Sequence, residues 1–432
     1  MKLAARLLVL GTFVASVVAQ APTPESLCTI PGDAEQEKVR KEFGPTFSVV
    51  ETARFRVVSD CAPRYRKLIA GGLQQFYDAV HGRFFKKEMK RVAVYLIDGA
   101  KDYDAFCTKR GVGMARETFG LYIPAQRTIY ARRLMPDGSE SGFGTLFHEA
   151  IHAMVHADFS GDPPSWFNEG FASLFEQGRV LRGEWVYGNP NPWRETPYRA
   201  AFEGGKVPPL AKFFALTEKD FRGGDEMLHY NTGRSVCLWL LRRGEDQLAR
   251  YVDLVRQKKG GVAAIEGASG LKLAEIEASW REHVRKVHFG GDYLHRARGA
   301  SREQALEILA EGAKLFPDYG SLRAEYANRL ANAVRPEDAE REALAALADP
   351  RLPTPQLAWS VLVWRYGPVN QEKLAEAAKA IVDLQPWLER LEPSAFSKYA
   401  AALERAGKDD EAKKVDAEIR RLKAEDVVPK AG

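Results

Sequence analysis

The sequence predicts an α+β chain: a small mixed sheet with a helical part behind it, followed by a second, all-α part. Three observations carry this. Short segments with period-two alternation of apolar residues cluster before residue 133, and from residue 162 the period becomes that of amphipathic helices. Beyond residue 301 the composition shifts to Ala, Leu, Glu, Lys and Arg in pieces of helical length. At 432 residues the chain is also too long for one ordinary core.

Taken in order, Lys2 and Arg6 flank an apolar run, residues 7–18, that ends in the small residues of "VVA". This reads as a signal peptide over residues 1–19, cut before Gln20, and so as an exported protein, periplasmic or secreted. An uncleaved anchor is the alternative, although the run is short for a membrane span. No later segment reads as an integral membrane segment. Residues 20–47 form an N-terminal extension. "TARFRVVSD" (52–60) alternates like a strand, and residues 63–84 have helical periodicity despite Gly71 and Gly72. "RVAVYLID" (91–98) is a second strand, with a short helix at about 103–109 after it. Residues 119–133 read as two strands joined by a turn at 124–126. From residue 162 to about 287 the pattern is mostly helical, broken by Pro/Gly loops such as "GNPNP".

"HFGGDYLHRARGAS" (288–301) reads as a boundary, with 48–290 as the first domain and 291–300 as a linker. In residues 301–425, Ala305 is followed by Pro317 twelve residues later and by Ala339 after 34. This spacing, with a Gly407-to-Ala412 step that is out of phase, resembles tetratricopeptide repeats. Plain helical hairpins are the alternative. Either gives a stacked helical domain suited to a protein partner.

The net charge of +5 is small, and basic clusters such as "GRFFKKEMKR" are interleaved with acids elsewhere, which argues against a nucleic-acid partner. Of four cysteines, Cys28 and Cys61 lie in Pro-flanked polar segments and are candidates to pair. Cys237 reads as a small buried hydrophobe.

The chemistry-bearing stretch is "GTLFHEAIHAMVHADF" (144–159). Residues i and i+4 of a helix share a face, so His148 and His152 can converge on one ion, with Glu149 beside them to handle a proton. His156 is two turns from His148, about 12 Å along the axis, and reads as a surface or supporting histidine. A hydrolytic zinc site needs a third protein ligand. Asp158 is one candidate, at the place where metzincins put their last ligand, but those proteins need glycine three residues after the second histidine, and here that residue is the β-branched Val155. Glu169, on the amphipathic segment "PPSWFNEGFASLFE", is the better one.

"HEAIH" followed by "WFNEGFASLFE" resembles the signature of gluzincin metallopeptidases, and the layout from about 48 to 287 is similar to the peptidase MA-like family. That resemblance implies a gluzincin-type metallopeptidase domain holding Zn²⁺ on His148, His152 and Glu169. It also implies that Glu176 supports a histidine ligand, that Glu149 is the general base, and that the substrate is a peptide or protein. It places a tyrosine on a later helix, which maps onto Tyr230 as a donor to the oxyanion; His229 is the weaker choice. The strands about "GLYIPAQRTIY" offer an edge to an extended substrate. Two departures count against a typical aminopeptidase: the interval from His152 to Glu169 is short, and Gly-x-Met-Glu-Asn is absent. The rival reading is a catalytically inactive zinc-binding or scaffold protein acting through its C-terminal helices. If residues 1–19 are a signal, N-terminal sequencing of the exported protein begins at Gln20; a chain beginning at Met1 in the membrane fraction would instead establish the anchor.

Overall fold

A computed structural model describes residues 24–112, 119–133, 143–181, 184–287, 290–349, 352, 355–367, 369–384, 393–405 and 407–425. The signal segment lies outside them. The first part runs α1 (Asp33–Phe43), β1 (Ser48–Glu51), β2 (Phe55–Ser59), α2 (Pro63–Phe84), β3 (Val92–Ile97), α3 (Ala100–Lys109), β4 (Gly120–Ile123) and β5 (Thr128–Arg132). Helices α4 (Gly144–Asp158) and α5 (Ser165–Ser173), the hairpin β6 (Arg179–Leu181) and β7 (Glu184–Val186), then α6 (Pro192–Glu203), α7 (Leu210–Phe214), α8 (Glu218–Gly223) and α9 (Glu226–Arg243) follow. After these come α10 (Glu245–Arg256), α11 (Val262–Ser269), α12 (Leu273–Val287) and α13 (Gly290–Arg298). The chain continues with α14 (Arg302–Leu315), α15 (Gly320–Asn332), α16 (Pro336–Leu347), α17 (Pro355–Tyr366), α18 (Gln371–Leu384), α19 (Pro393–Arg405) and α20 (Asp409–Glu425). The protein is thus α+β, mostly helical with a small mixed sheet.

The sheet has the order β1-β2-β3-β5-β4, with β2, β3 and β5 parallel and the outer strands β1 and β4 antiparallel to their neighbours. Alternation sorts its residues to two faces. Phe55, Val57, Val94 and Ile129 join the main core with α2, α4 and α5, whereas Val58, Ile97 and Tyr130 pack with α1 and α3. Helix α2 has the bounds its periodicity predicts: Gly71 and Gly72 are buried in its middle, and Pro63 sits in its first turn. The four-residue β1 is too short for an alternating pattern to mark it. The β6–β7 hairpin lies where the sequence reads as helical, because three-residue strands carry no period.

Two expectations are corrected. The segment read as a linker, 291–300, is largely helix α13, whose Tyr293, Leu294 and Ala297 are buried against α14 and α15. Gly290 looks like a breaker in sequence, yet it is a contact residue: a Cβ there would lie 2.3 Å from Cδ1 of Tyr319. Cys28 and Cys61 do not pair. Both are free thiols, and Cys28 Sγ donates to the carbonyl oxygens of Lys67 at 3.2 Å and Pro24 at 3.4 Å.

Helices α14 to α20 stack in sequence order around small residues. Ala305 and Ala339 are both fully buried, each the fourth residue of its helix. No helix among the described residues is long and apolar enough to cross a membrane.

The crossing of α5 and α9 fixes where Glu169 stands. A Cβ on Gly170 would lie 2.3 Å from the Gly233 carbonyl carbon, and one on Gly233 would lie 2.3 Å from Trp166 O. Contact this close forbids any side chain. Gly170→Ala should therefore lower unfolding stability by about 1–3 kcal/mol, the usual range for overpacking, as read by urea denaturation. An unchanged midpoint would mean the helices are free to part.

Candidate metal centre

Helix α4 buries Leu146, Phe147, Ala150, Ile151 and Met154 against the core. That anchored stripe turns His148 and His152 toward α5, with ring centroids 4.7 Å apart. The helix ends at Asp158, whose buried carboxylate accepts the Lys87 N–H at 2.9 Å, the Lys86 N–H at 3.3 Å and Arg256 Nε–H at 2.5 Å. Asp158 is a helix-end carboxylate, engaged by two backbone N–H groups and the Arg256 guanidinium. His156 is exposed, with Nδ1 3.0 Å from the Tyr122 hydroxyl.

Helix α5 follows Pro163 and Pro164 and seats Trp166, Phe167 and Phe171 in the core, which points Glu169 back at α4. Glu169 Oε2 lies 3.1 Å from His148 Nε2 and 3.5 Å from His152 Nε2. Donors bonded to one tetrahedral zinc ion at 2.0–2.1 Å stand about 3.3–3.4 Å from each other. The three residues fit such an ion, and one donor atom from each lies within 4.8 Å of the others.

The far ring nitrogens are fixed as this requires. His148 Nδ1–H donates to Glu176 Oε1 at 2.9 Å, and His152 Nδ1–H to Asn168 Oδ1 at 3.2 Å. Each Nε2 is then the ring nitrogen that faces the centre, free to present its lone pair once an ion displaces its proton. Glu176 is itself held by Arg194 Nε at 2.6 Å and Asn191 Nδ2 at 2.8 Å. Burial pushes the Glu176 carboxyl up, but the Arg194 charge and the His148 hydrogen bond outweigh it, leaving about 2. Without an ion, burial pushes His148 down, while hydrogen bonds to Glu169 and Glu176 more than offset this and raise it to about 10.

Glu149 is buried, and its Oε2 accepts the Tyr122 N–H of edge strand β4 at 2.7 Å. A cleft of about 1570 Å³ joins these groups, lined by Gly120, Tyr122, His148, Glu149, Glu169 and Tyr230 among others. The Tyr230 hydroxyl accepts from Arg222 Nη1, and Arg222 Nη2 donates to Glu169 Oε1 at 2.8 Å. Burial and the Glu169 charge raise the Tyr230 phenol well above its ordinary range. His229 Nδ1 is engaged by the Phe221 carbonyl at 2.8 Å. The residues singled out from sequence thus share one cleft, except His229 and Asp158. Arg222, Arg194 and Asn191 are additions that no spacing marks, while Asn168 sits inside the quoted "WFNEG".

No family model matches the chain, and neither does any curated protein. Among solved structures, yeast LTA4 hydrolase in complex with bestatin aligns with 88% of this chain and 67% of its own, at 12% identity and a TM-score of 0.30. A likeness that distant carries no argument about chemistry, which rests on the residues above.

A proton on His148 competes with a metal ion. Its folded value of about 10 lies above its ordinary 6.5. In the ion's absence its pairing therefore stabilises the fold fully below the ordinary value, and that stability is lost as pH rises through about 10. Binding of zinc at neutral pH should release this proton, so affinity should rise about tenfold per pH unit from 7 to 9. Calorimetry in buffers of different ionisation enthalpy reads this directly; binding without proton release would refute the pairing.

Proposed function

We propose that the protein is an exported zinc metallopeptidase of the gluzincin type, distinct from a typical aminopeptidase. The observation that carries this is the convergence of His148, His152 and Glu169 at ligand spacing, with Glu149 next to them in an open cleft. When bound there, zinc polarises the scissile carbonyl and makes a neutral water a competent nucleophile. Glu149 takes the proton of the attacking water and passes it to the leaving nitrogen. Tyr230 donates a hydrogen bond from its hydroxyl to the developing oxyanion. Glu176 holds His148 in the tautomer that presents Nε2.

The cleft supports a peptide or protein substrate, since it exceeds the 300–1,000 Å³ usual for small-molecule sites. Edge strand β4 lies along it and supports an extended chain paired by main-chain hydrogen bonds. In this reading residues 48–290 are the metallopeptidase domain, and 301–425 are a tetratricopeptide-like array that receives a protein partner.

The test begins with metal content of the chain from Gln20 onward, purified without a metal-binding tag. About one zinc per chain is expected, lost in Glu169→Ala. Glu149→Gln should keep fold and zinc while hydrolysis of a peptide library falls about 10²–10⁴-fold. No zinc after supplementation would sink the reading. A cellular role that survives Glu149→Gln but fails without residues 300–432 would favour the scaffold alternative.

A further inference from the structure

Arg222 projects from α8 into the cleft, and its guanidinium meets four oxygens. Nη2 donates to Glu169 Oε1 at 2.8 Å, and Nη1 to the Tyr230 hydroxyl and to Glu226 Oε1 at 3.0 Å. Nε donates to Glu218 Oε1 at 3.1 Å. Glu218 and Glu226 stand four residues to either side of it and clamp the fork from above and below. Helix α8 is itself set by a capping box, with the Thr217 hydroxyl and Asp220 bonding each other's backbone N–H. Arg222 is therefore held at both ends.

A guanidinium only donates, and its planar fork reaches two acceptors at a fixed separation. Two consequences follow for the oxygens it touches. With Oε1 of Glu169 occupied, Oε2 is the oxygen left facing the two histidine Nε2 atoms. With the Tyr230 oxygen accepting from Arg222, that hydroxyl keeps its one proton for something else in the cleft.

We propose that Arg222 is a positioning residue that ties the third metal ligand to the oxyanion donor, reserving Glu169 Oε2 for the ion and the Tyr230 proton for the substrate. The proposal rests on the zinc reading above. It sets geometry through the shape of the fork rather than through charge alone, because Glu218 and Glu226 already surround that charge with acids. A lysine carries its three donors on one nitrogen at the end of a flexible stem, and so lacks the fixed fork that sets the two oxygens at one separation.

The test uses cobalt(II) as the probe in the full mature chain, since its visible absorption reports coordination geometry. Wild type should show the intense bands of a four-coordinate ion. In Arg222→Met both Glu169 oxygens are open to the ion, so the bands should lose intensity and shift as a fifth donor enters. Arg222→Lys should follow Arg222→Met. If the methionine variant fails to fold by circular dichroism, Arg222→Leu, which also removes every donor, takes its place. Variant spectra superimposable on wild type would show that Arg222 only neutralises Glu169, and would overturn the proposal while leaving the metal site standing. A wild-type spectrum retained by Arg222→Lys alone would overturn it too, since charge would then suffice. A wild type that takes up no cobalt would overturn this proposal and the zinc reading together.

Discussion

Two imidazoles one helical turn apart cannot close a metal site by themselves, and on their own helix Asp158 is engaged by Arg256 and two backbone N–H groups while His156 lies two turns from His148. The first part of the molecule brings a third group, the Glu169 carboxylate, to them. Glu169 arrives on α5, so the distance between α4 and α5 must be held to a few tenths of an ångström. The aromatic packing of Trp166, Phe167 and Phe171 holds one side of α5, and its glycine-to-glycine crossing with α9 holds the other. Helix α9 also carries Tyr230, so one crossing sets the Glu169 carboxylate and the Tyr230 hydroxyl in a common frame.

Around the centre, charge is organised in alternating shells. His148 meets Glu176, Glu176 meets Arg194 and Asn191, and Asn191 is fixed in turn by its backbone N–H to Glu195 at 2.8 Å. Burying these groups would be prohibitive if any stood alone. The Pro-rich loop before α6 is what delivers them. Its bend turns Asn191 toward Glu176, and Arg234 reaches the Asn189 carbonyl behind it.

How much of this was legible in the sequence depended on the range of the interaction. Helix α2 was readable because twenty-two residues carry several turns of a period. The convergence of His148 and His152 was readable because both lie on one face of one helix, and that of Glu169 because a second short motif follows closely. Arg222 and Arg194 were not, since each meets its partner across intervals of 53 and 18 residues that only the tertiary fold closes. The α13 helix was misread for a related reason. Gly290 and Gly291 signal a break locally, while the ring of Tyr319, far along the chain, is what uses the space Gly290 leaves.

That misreading changes how the two parts of the chain are joined. Helix α6 carries Arg194 in its first turn, where it grips Glu176, and five residues on, Arg199 makes an ion pair with Asp292 of α13. About 7.5 Å of helix separates them. The helical array therefore does not hang from the first part by a tether. The two share a girder, and the orientation of the stack is inherited by the residues that steady His148.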